Sequence, residues 1–187
     1  MENIINKIQS YYPVSEQSLD ELRKILQRVV VPPKTILIHR GRKEKNVYFI
    51  EKGISRVYIL HGQDEVTTWF CAEGDVAYGA LSIFRGEPCF ENVETLEETI
   101  AYTTTTERLR DLYTSSLEWA NWKNRMQEEH FLWLCDIHFA RVNLSGKERY
   151  EKMLKEHPDI CNRVNLGYIA SFLGMTLPSL SRIRASY

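Results

Sequence analysis

The residues best suited to chemistry in this 187-residue chain lie near its end, in the run 166–184, LGYIASFLGMTLPSLSRIR. Thr176, Ser179, Ser181, Arg182 and Arg184 are donors on a short helical pattern, suited to phosphate oxygens and base edges rather than to bond breaking. The same run supplies what would position them. Ile169, Ala170 and Leu173 share one face of a first helix, and Gly174 can take the positive φ of a tight turn. Thr176 is a natural N-cap, and Pro178 suits the first turn of a second helix. Leu180 and Ile183 point back at the first helix, where small Ala170 permits close approach. This is a helix-turn-helix pattern with its second helix free for a major groove; an αα-hairpin within an ordinary core is the alternative.

Charge favours the first reading. From residue 143 onward seven Lys or Arg stand against four Asp or Glu, whereas residues 1–142 carry 17 against 21. The small basic excess therefore falls in the part that would face DNA. Other chemistry is sparse. Cys71, Cys89, Cys135 and Cys161 form no C-x-x-C pair, and His130 and His138 are two helical turns apart, so no metal site is expected. There is no Ser-His-Asp set, no Gly-rich phosphate loop and no evident acid pair, so an enzyme is not expected. No apolar run reaches the roughly 18 residues of a membrane span, and residues 2–10 do not resemble a signal peptide, so the expected location is cytoplasmic.

The elements around the motif read as follows. Residues 2–30 look helical, with stripes at Ile4, Ile5, Ile8 and at Leu19, Leu22, Ile25, Leu26; Ser18 and Glu21 have capping-box spacing, and Pro32-Pro33 ends the run. The runs NVYFIE at 46–51 and ISRVYIL at 54–60, joined at Gly53, read as a hairpin. Strand-like runs continue at 66–71, 76–84, 89–96 and 99–106, which predicts a sandwich or barrel. One or two helical turns at 107–113 lead to a long helix over 115–142. In it Trp119, Met126, Trp133 and Ala140 recur every seven residues, a coiled-coil-like seam for a homodimer. Phe131, Leu134, Cys135 and Val142 form a second stripe, expected to meet the barrel. NLSG at 143–146 reads as a hinge, with Ser145 capping the next helix.

Taken in order, these pieces resemble the Crp–Fnr family of bacterial transcription regulators, and most resemble its members from the Bacteroidetes. NVYFIEKGISRVYIL at 46–60 resembles the family's hairpin, GDVAYGALSIFRGEP at 74–88 its effector cassette, and YIASFLGMTLPSLSRIR at 168–184 its DNA-reading motif. The resemblance implies an α+β fold. Residues 1–114 would form a jelly-roll β-barrel of the cyclic-nucleotide-binding kind with N-terminal helices, 115–142 a dimerisation helix, and 143–187 a helix-turn-helix domain. It further implies a homodimer on double-stranded DNA, with half-sites about one helical turn apart and RNA polymerase as a further partner. Arg182 matches the family's arginine in the recognition helix and is the expected base contact, while Ser179 and Ser181 are expected to contact phosphates.

The departures bear on the effector. By resemblance the pocket residues are Gly79, Ala80, Leu81, Ser82, Cys89 and Phe90. In cyclic-AMP-binding members a Glu follows the glycine and an Arg-Ser pair holds the phosphate; here Ala80 and Cys89-Phe90 stand there, with Glu87, Glu91 and Glu94 nearby. A phosphate would lack its charge-assisted partner and meet carboxylates, and Phe90 is expected to fill the space. Cyclic AMP is therefore not expected, nor any other cofactor, and the effector is undefined; Arg85 is the one nearby stand-in for the missing arginine. Leu177 and Pro178 hold recognition-helix places that are Arg and Glu in those members, so base preference does not carry over, and no β-hairpin wing is expected. The competing function is a ligand-sensing module acting through protein contacts alone, which the helix-turn-helix disfavours.

Overall fold

A computed structural model describes residues 1–186; Tyr187, the last residue of the expected C-terminal domain, lies outside them. Two helices, α1 (Glu2–Tyr11) and α2 (Glu16–Ile25), precede eight strands: β1 (Gln27–Val31), β2 (Ile36–Ile38), β3 (Asn46–Lys52), β4 (Ser55–His61), β5 (Asp64–Cys71), β6 (Val76–Ala77), β7 (Asn92–Thr95) and β8 (Thr99–Thr105). A short helix, α3 (Ala80–Arg85), interrupts them between β6 and β7. The strands make two four-stranded antiparallel sheets, ordered β1-β8-β3-β6 and β2-β7-β4-β5, the α+β jelly roll that the sequence leads one to expect. Then come α4 (Thr106–Ser115), α5 (Leu117–Asn143), α6 (Gly146–Glu156), α7 (Pro158–Arg163), α8 (Leu166–Phe172) and α9 (Leu177–Arg184). No helix among the described residues is long and apolar enough to cross a membrane.

Period-two alternation divides the core. On β3, Val47 and Phe49 pack outward against α1, α4 and α5, while Ile50 joins Ile38, Cys71, Ala77, Cys89, Val93 and Ala101 inside the roll. Four local expectations are corrected. Residues 27–31 are strand β1, paired with β8, because three consecutive β-branched valines favour a pleated surface over a helix. The cap of α2 is Ser15, whose side chain accepts from the Ser18 N–H, so Ser18 is inside the helix. Residues 76–84 hold a two-residue strand and then α3. Finally, β3 and β4 are not a hairpin but lie in different sheets. Gly53 turns this corner at φ 114°, and a Cβ there would sit 2.6 Å from Thr99 Oγ1.

The long helix uses its sequence pattern in the reverse of the expected sense. Trp119 and Met126 are buried within the chain's own core beside α1, α2 and α4. Trp119 Nε1–H donates to Ser18 O at 3.3 Å and Trp122 Nε1–H to Ile8 O at 3.1 Å. Trp133 stands edge-on to Trp69 with ring centroids 4.1 Å apart, and Ala140 is also buried. All four residues of the expected seam therefore face their own chain. The stripe expected to meet the barrel is the uncovered one: Phe131, Leu134 and Val142 are 65%, 56% and 68% exposed, and Cys135 is exposed beside them.

Helices α6 to α9 dock on the β4–β5 hairpin. Trp69 of β5 meets Trp133, His157 and Phe172, and the Thr67 N–H donates to Ser171 Oγ at 3.0 Å. Buried Arg56 pairs with Glu65 and Glu94 at 2.6 and 3.0 Å and lies between the rings of Tyr58 and Tyr168. Arg163 of α7 donates to both oxygens of Glu73 and to Glu97.

Two groups at this joint titrate away from their ordinary values. Burial lowers His157, since the imidazolium loses water against Trp69. Burial alone would raise Glu73, but the bonds from Arg163 and the Gly53 N–H outweigh it and leave the carboxyl lowered. In both cases the docked form binds its proton more weakly than the released form. Docking is therefore strongest above the ordinary values of 6.5 and 4.5, and weakens as pH falls, first through His157 and then through Glu73. Going from about pH 7.5 to about pH 5.5 should speed amide exchange in β5 and α8, after correction for intrinsic rates, more than in β3. A His157→Gln variant should show less of that change; an identical change would remove His157 from the account.

Candidate DNA-reading face and effector cassette

The C-terminal motif is built as the spacing requires. Helix α8 ends at a turn where Gly174 has φ 67°, and Thr176 caps α9 by accepting from the Ser179 N–H. Leu180 is fully buried and Ala170 nearly so, which lets the two helices cross closely. The end of α8 is held from two sides: Arg141 donates to Phe172 O at 3.2 Å, and Arg149 to Leu173 O at 2.9 Å. Of the sequence-predicted contacts, Thr176, Ser179 and Arg182 form one chain: Thr176 Oγ1 and Ser179 Oγ are 2.9 Å apart, and Arg182 Nη2 reaches Ser179 Oγ at 3.4 Å. Ser181 and Arg182 are both exposed on the outer arc of α9. Arg184 leaves by the other edge, near Tyr150 and Cys161.

The basic excess is smaller at this face than the sequence count suggests. Lys152 pairs with Asp136 and Glu156, Arg163 with Glu73 and Glu97, and Arg149 serves carbonyls. Lys155, Arg182 and Arg184 make no ion pair among the described residues.

The cassette folds around an acid that sequence reasoning treated only as a repulsive neighbour. Glu91 is 4% exposed; one oxygen accepts from the Ala80 N–H at 2.9 Å, the other from the Phe90 N–H at 3.1 Å. The chain's own carboxylate thus takes the first backbone donor of α3 and ties it to the loop before β7. Phe90, expected to fill the interior, is 54% exposed, and Cys89 is buried instead. Cys89 Sγ lies 3.1 Å from Ser82 Oγ, which also accepts from the Glu44 N–H and donates to Glu87 O. Gly79 is needed there, because a Cβ would stand 2.1 Å from that sulfur. Leu81 and Ala80 are half-buried, and Arg85 is exposed at the far end of α3. The signal for Glu91 was a carboxylate in an otherwise apolar strand approach; nothing in the spacing said that it turns inward.

An antiparallel roll interrupted by a cassette helix defines a class, and residues 28–116 match the family model of the cyclic nucleotide-binding domain. Over nearly the whole chain the fold is also that of CRP/FNR-type regulators. The c-di-GMP-responsive global regulator CLP of Xanthomonas campestris superposes with a TM-score of 0.74 at 14% identity, covering 92% of this chain and 91% of its own. FixK2 of Bradyrhizobium japonicum gives 0.74 at 16%, covering 87% and 84%. A protein named as a candidate transcriptional regulator of the crp/fnr family from Eubacterium rectale gives 0.71 at 19%, covering 95% and 87%. At these identities the likeness is one of fold. No curated sequence matches the chain.

The Gly79–Cys89 contact yields a stability test. Gly79→Ala should cost about 1–3 kcal/mol by overpacking. Combined with Cys89→Ala, which removes the sulfur and leaves Ile38 Cγ2 at 3.4 Å and the Cβ of residue 89 at 3.6 Å, the same substitution should cost less. Thermal unfolding of the four proteins gives the coupling; strict additivity would show that the sulfur is not what excludes a side chain.

Proposed function

We propose that the chain is a DNA-binding transcription regulator of the Crp–Fnr type that acts as a homodimer and does not use cyclic AMP. The observation that carries the reading is the outer arc of α9: an exposed Arg182, free of any ion pair among the described residues, held by Ser179 and Thr176. A guanidinium so placed suits the paired acceptors of a guanine edge. The regulator-type fold of the neighbours supports the same reading. In this division of labour residues 1–114 sense, 115–142 assemble, and 143–187 read DNA.

The occupant of the uncovered α5 face is a second copy of this chain. Phe131, Cys135, His138 and Val142 follow the four-three-four spacing of a coiled-coil seam, flanked by exposed Leu134 and Phe139. An apolar strip of this kind on a regulator of two-fold operators fits its own symmetry mate. Cyclic AMP is disfavoured because its one charge would meet the Glu91 carboxylate where an arginine is needed.

Arg182→Ala should weaken binding to the preferred operator by about 1–3 kcal/mol, and binding to random duplex much less, in fluorescence anisotropy at fixed salt. Equal losses on both would reduce Arg182 to a phosphate contact.

For assembly, Phe131→Glu should yield monomers by sedimentation at low micromolar concentration. Mild oxidation of the parent should join two chains through Cys135, and Cys135→Ser should abolish that product. A Phe131→Glu variant that stays dimeric would move the interface elsewhere.

A further inference from the structure

A cavity of about 370 Å³ lies outside the roll rather than within it. Its walls are the outer face of the β1-β8-β3-β6 sheet, helix α3, helix α4 and the first half of α5. The volume falls in the range of small-molecule sites. Its aromatic groups stand in two pairs: Tyr113 stacked with Trp122 at 6.2 Å, and Tyr78 edge-on to Phe84 at 6.1 Å. Two cations line it, Arg110 and Lys123, and neither has an ion pair among the described residues; no Asp or Glu lines it at all. Lys123 Nζ rests 5.6 Å from the centre of the Tyr113 ring. In a chain with a net charge of −1, an acid-free wall carrying two unpaired cations is a local reversal.

We propose that this cavity binds a small amphipathic anion, an apolar body bearing one carboxylate, with the body between the aromatic pairs and the carboxylate at Lys123 and Arg110. The two phenols support the assignment. Burial pushes Tyr78 up to about 12 and Tyr113 further in the same direction, so both stay protonated donors. The Tyr113 hydroxyl has no hydrogen-bond partner among the described residues, and that of Tyr78 meets only His130 Nδ1 at 3.4 Å. The site lies on the outer face of β3 and β6, at Val47 and Val76, whereas Ile50 and Ala77 of the same strands face the roll interior with Cys89; α3 borders both. It touches α5 at Gln127, one turn before the uncovered face begins at Phe131, so its occupancy bears on the helix proposed to join two chains. Only that last consequence rests on the regulator reading; binding itself does not.

Decanoate is the probe, titrated calorimetrically into the full chain beside uncharged decanamide of equal length and beside cyclic AMP. Decanoate should bind saturably at one per chain, and decanamide about tenfold more weakly, the difference due to a charge-assisted contact. Lys123→Met should weaken decanoate by about tenfold and leave decanamide unchanged, which a merely structural lysine would not do. Ala120→Phe, which fills the cavity, should abolish both. Absence of saturable decanoate binding, or equal binding of decanoate and decanamide to the parent protein, overturns the site. An unaltered response in Lys123→Met overturns it too, and that comparison stands even if Ala120→Phe does not fold. Micromolar cyclic AMP binding would overturn the earlier reading of the cassette and leave this site intact.

Discussion

The two indole N–H groups at the start of α5 anchor the layout of the whole chain. Trp119 donates to α2 and Trp122 to the end of α1, and both rings are buried among apolar side chains from those helices. Each indole therefore satisfies its donor and buries a large apolar area in one orientation only. That fixes the direction in which a 27-residue helix, about 40 Å long, leaves the roll. It also fixes the helix's rotation. With Trp119, Met126, Trp133 and Ala140 turned to the chain's own side, Phe131, Cys135 and Val142 can only point away. The uncovered face and the wall of the cavity beside α4 both follow from those two bonds.

The roll shows a second constraint, on charge. A cassette of this fold offers backbone N–H groups at the start of a short helix, and unsatisfied buried donors are costly. Here Glu91 satisfies one such donor, the Ala80 N–H, and with its other oxygen the Phe90 N–H in the loop before β7. An incoming anion would have to displace a covalently attached one, whose effective concentration is high. The same economy appears at the joint between roll and C-terminal helices, where Arg56, Arg149 and Arg163 are used for internal contacts. What remains on the outside is narrow: Lys155 and the two arginines of α9. On the proposed DNA-binding reading, specific contacts would weigh more, and long-range attraction less, than the sequence count alone suggests.

Much of this was legible in the sequence, and the exceptions share a cause. The helix-turn-helix, its Gly174 turn and its Thr176 cap were readable because each depends on residues within a few positions. The alternating strands were readable for the same reason. What failed depended on distant partners. Gly53 looks like a hairpin residue, yet whether β4 pairs with β3 or leaves for another sheet is decided by β7 and β5. The seven-residue stripe on α5 fits either a partner chain or the chain's own helices, and periodicity cannot name the neighbour. Phe90 and Cys89 are neighbours in the loop before β7, and which goes inside is decided by the backbone bonds of Cys89 to Gly41 and Arg42. Glu91 was noticed for its charge, but the distant donor that it meets, the Ala80 N–H, belongs to α3, eleven residues upstream.

Strand β1 pairs with β8, Gln27 opposite Thr103, and the core around α1 and α2 is not complete until Trp119 and Trp122 join it. Synthesis from the N-terminus therefore delivers Ile4, Ile8, Leu19 and Leu22 long before Trp119 and Trp122 can complete their cover. Sheet closure and helix docking wait on the same late segment, and pairings this far apart in sequence form slowly. Until α5 emerges, the first hundred or so residues expose an apolar helix pair and open strand edges together, the combination that draws chaperones and invites aggregation. The helix that would join two finished chains is thus also the one that ends each chain's vulnerable period.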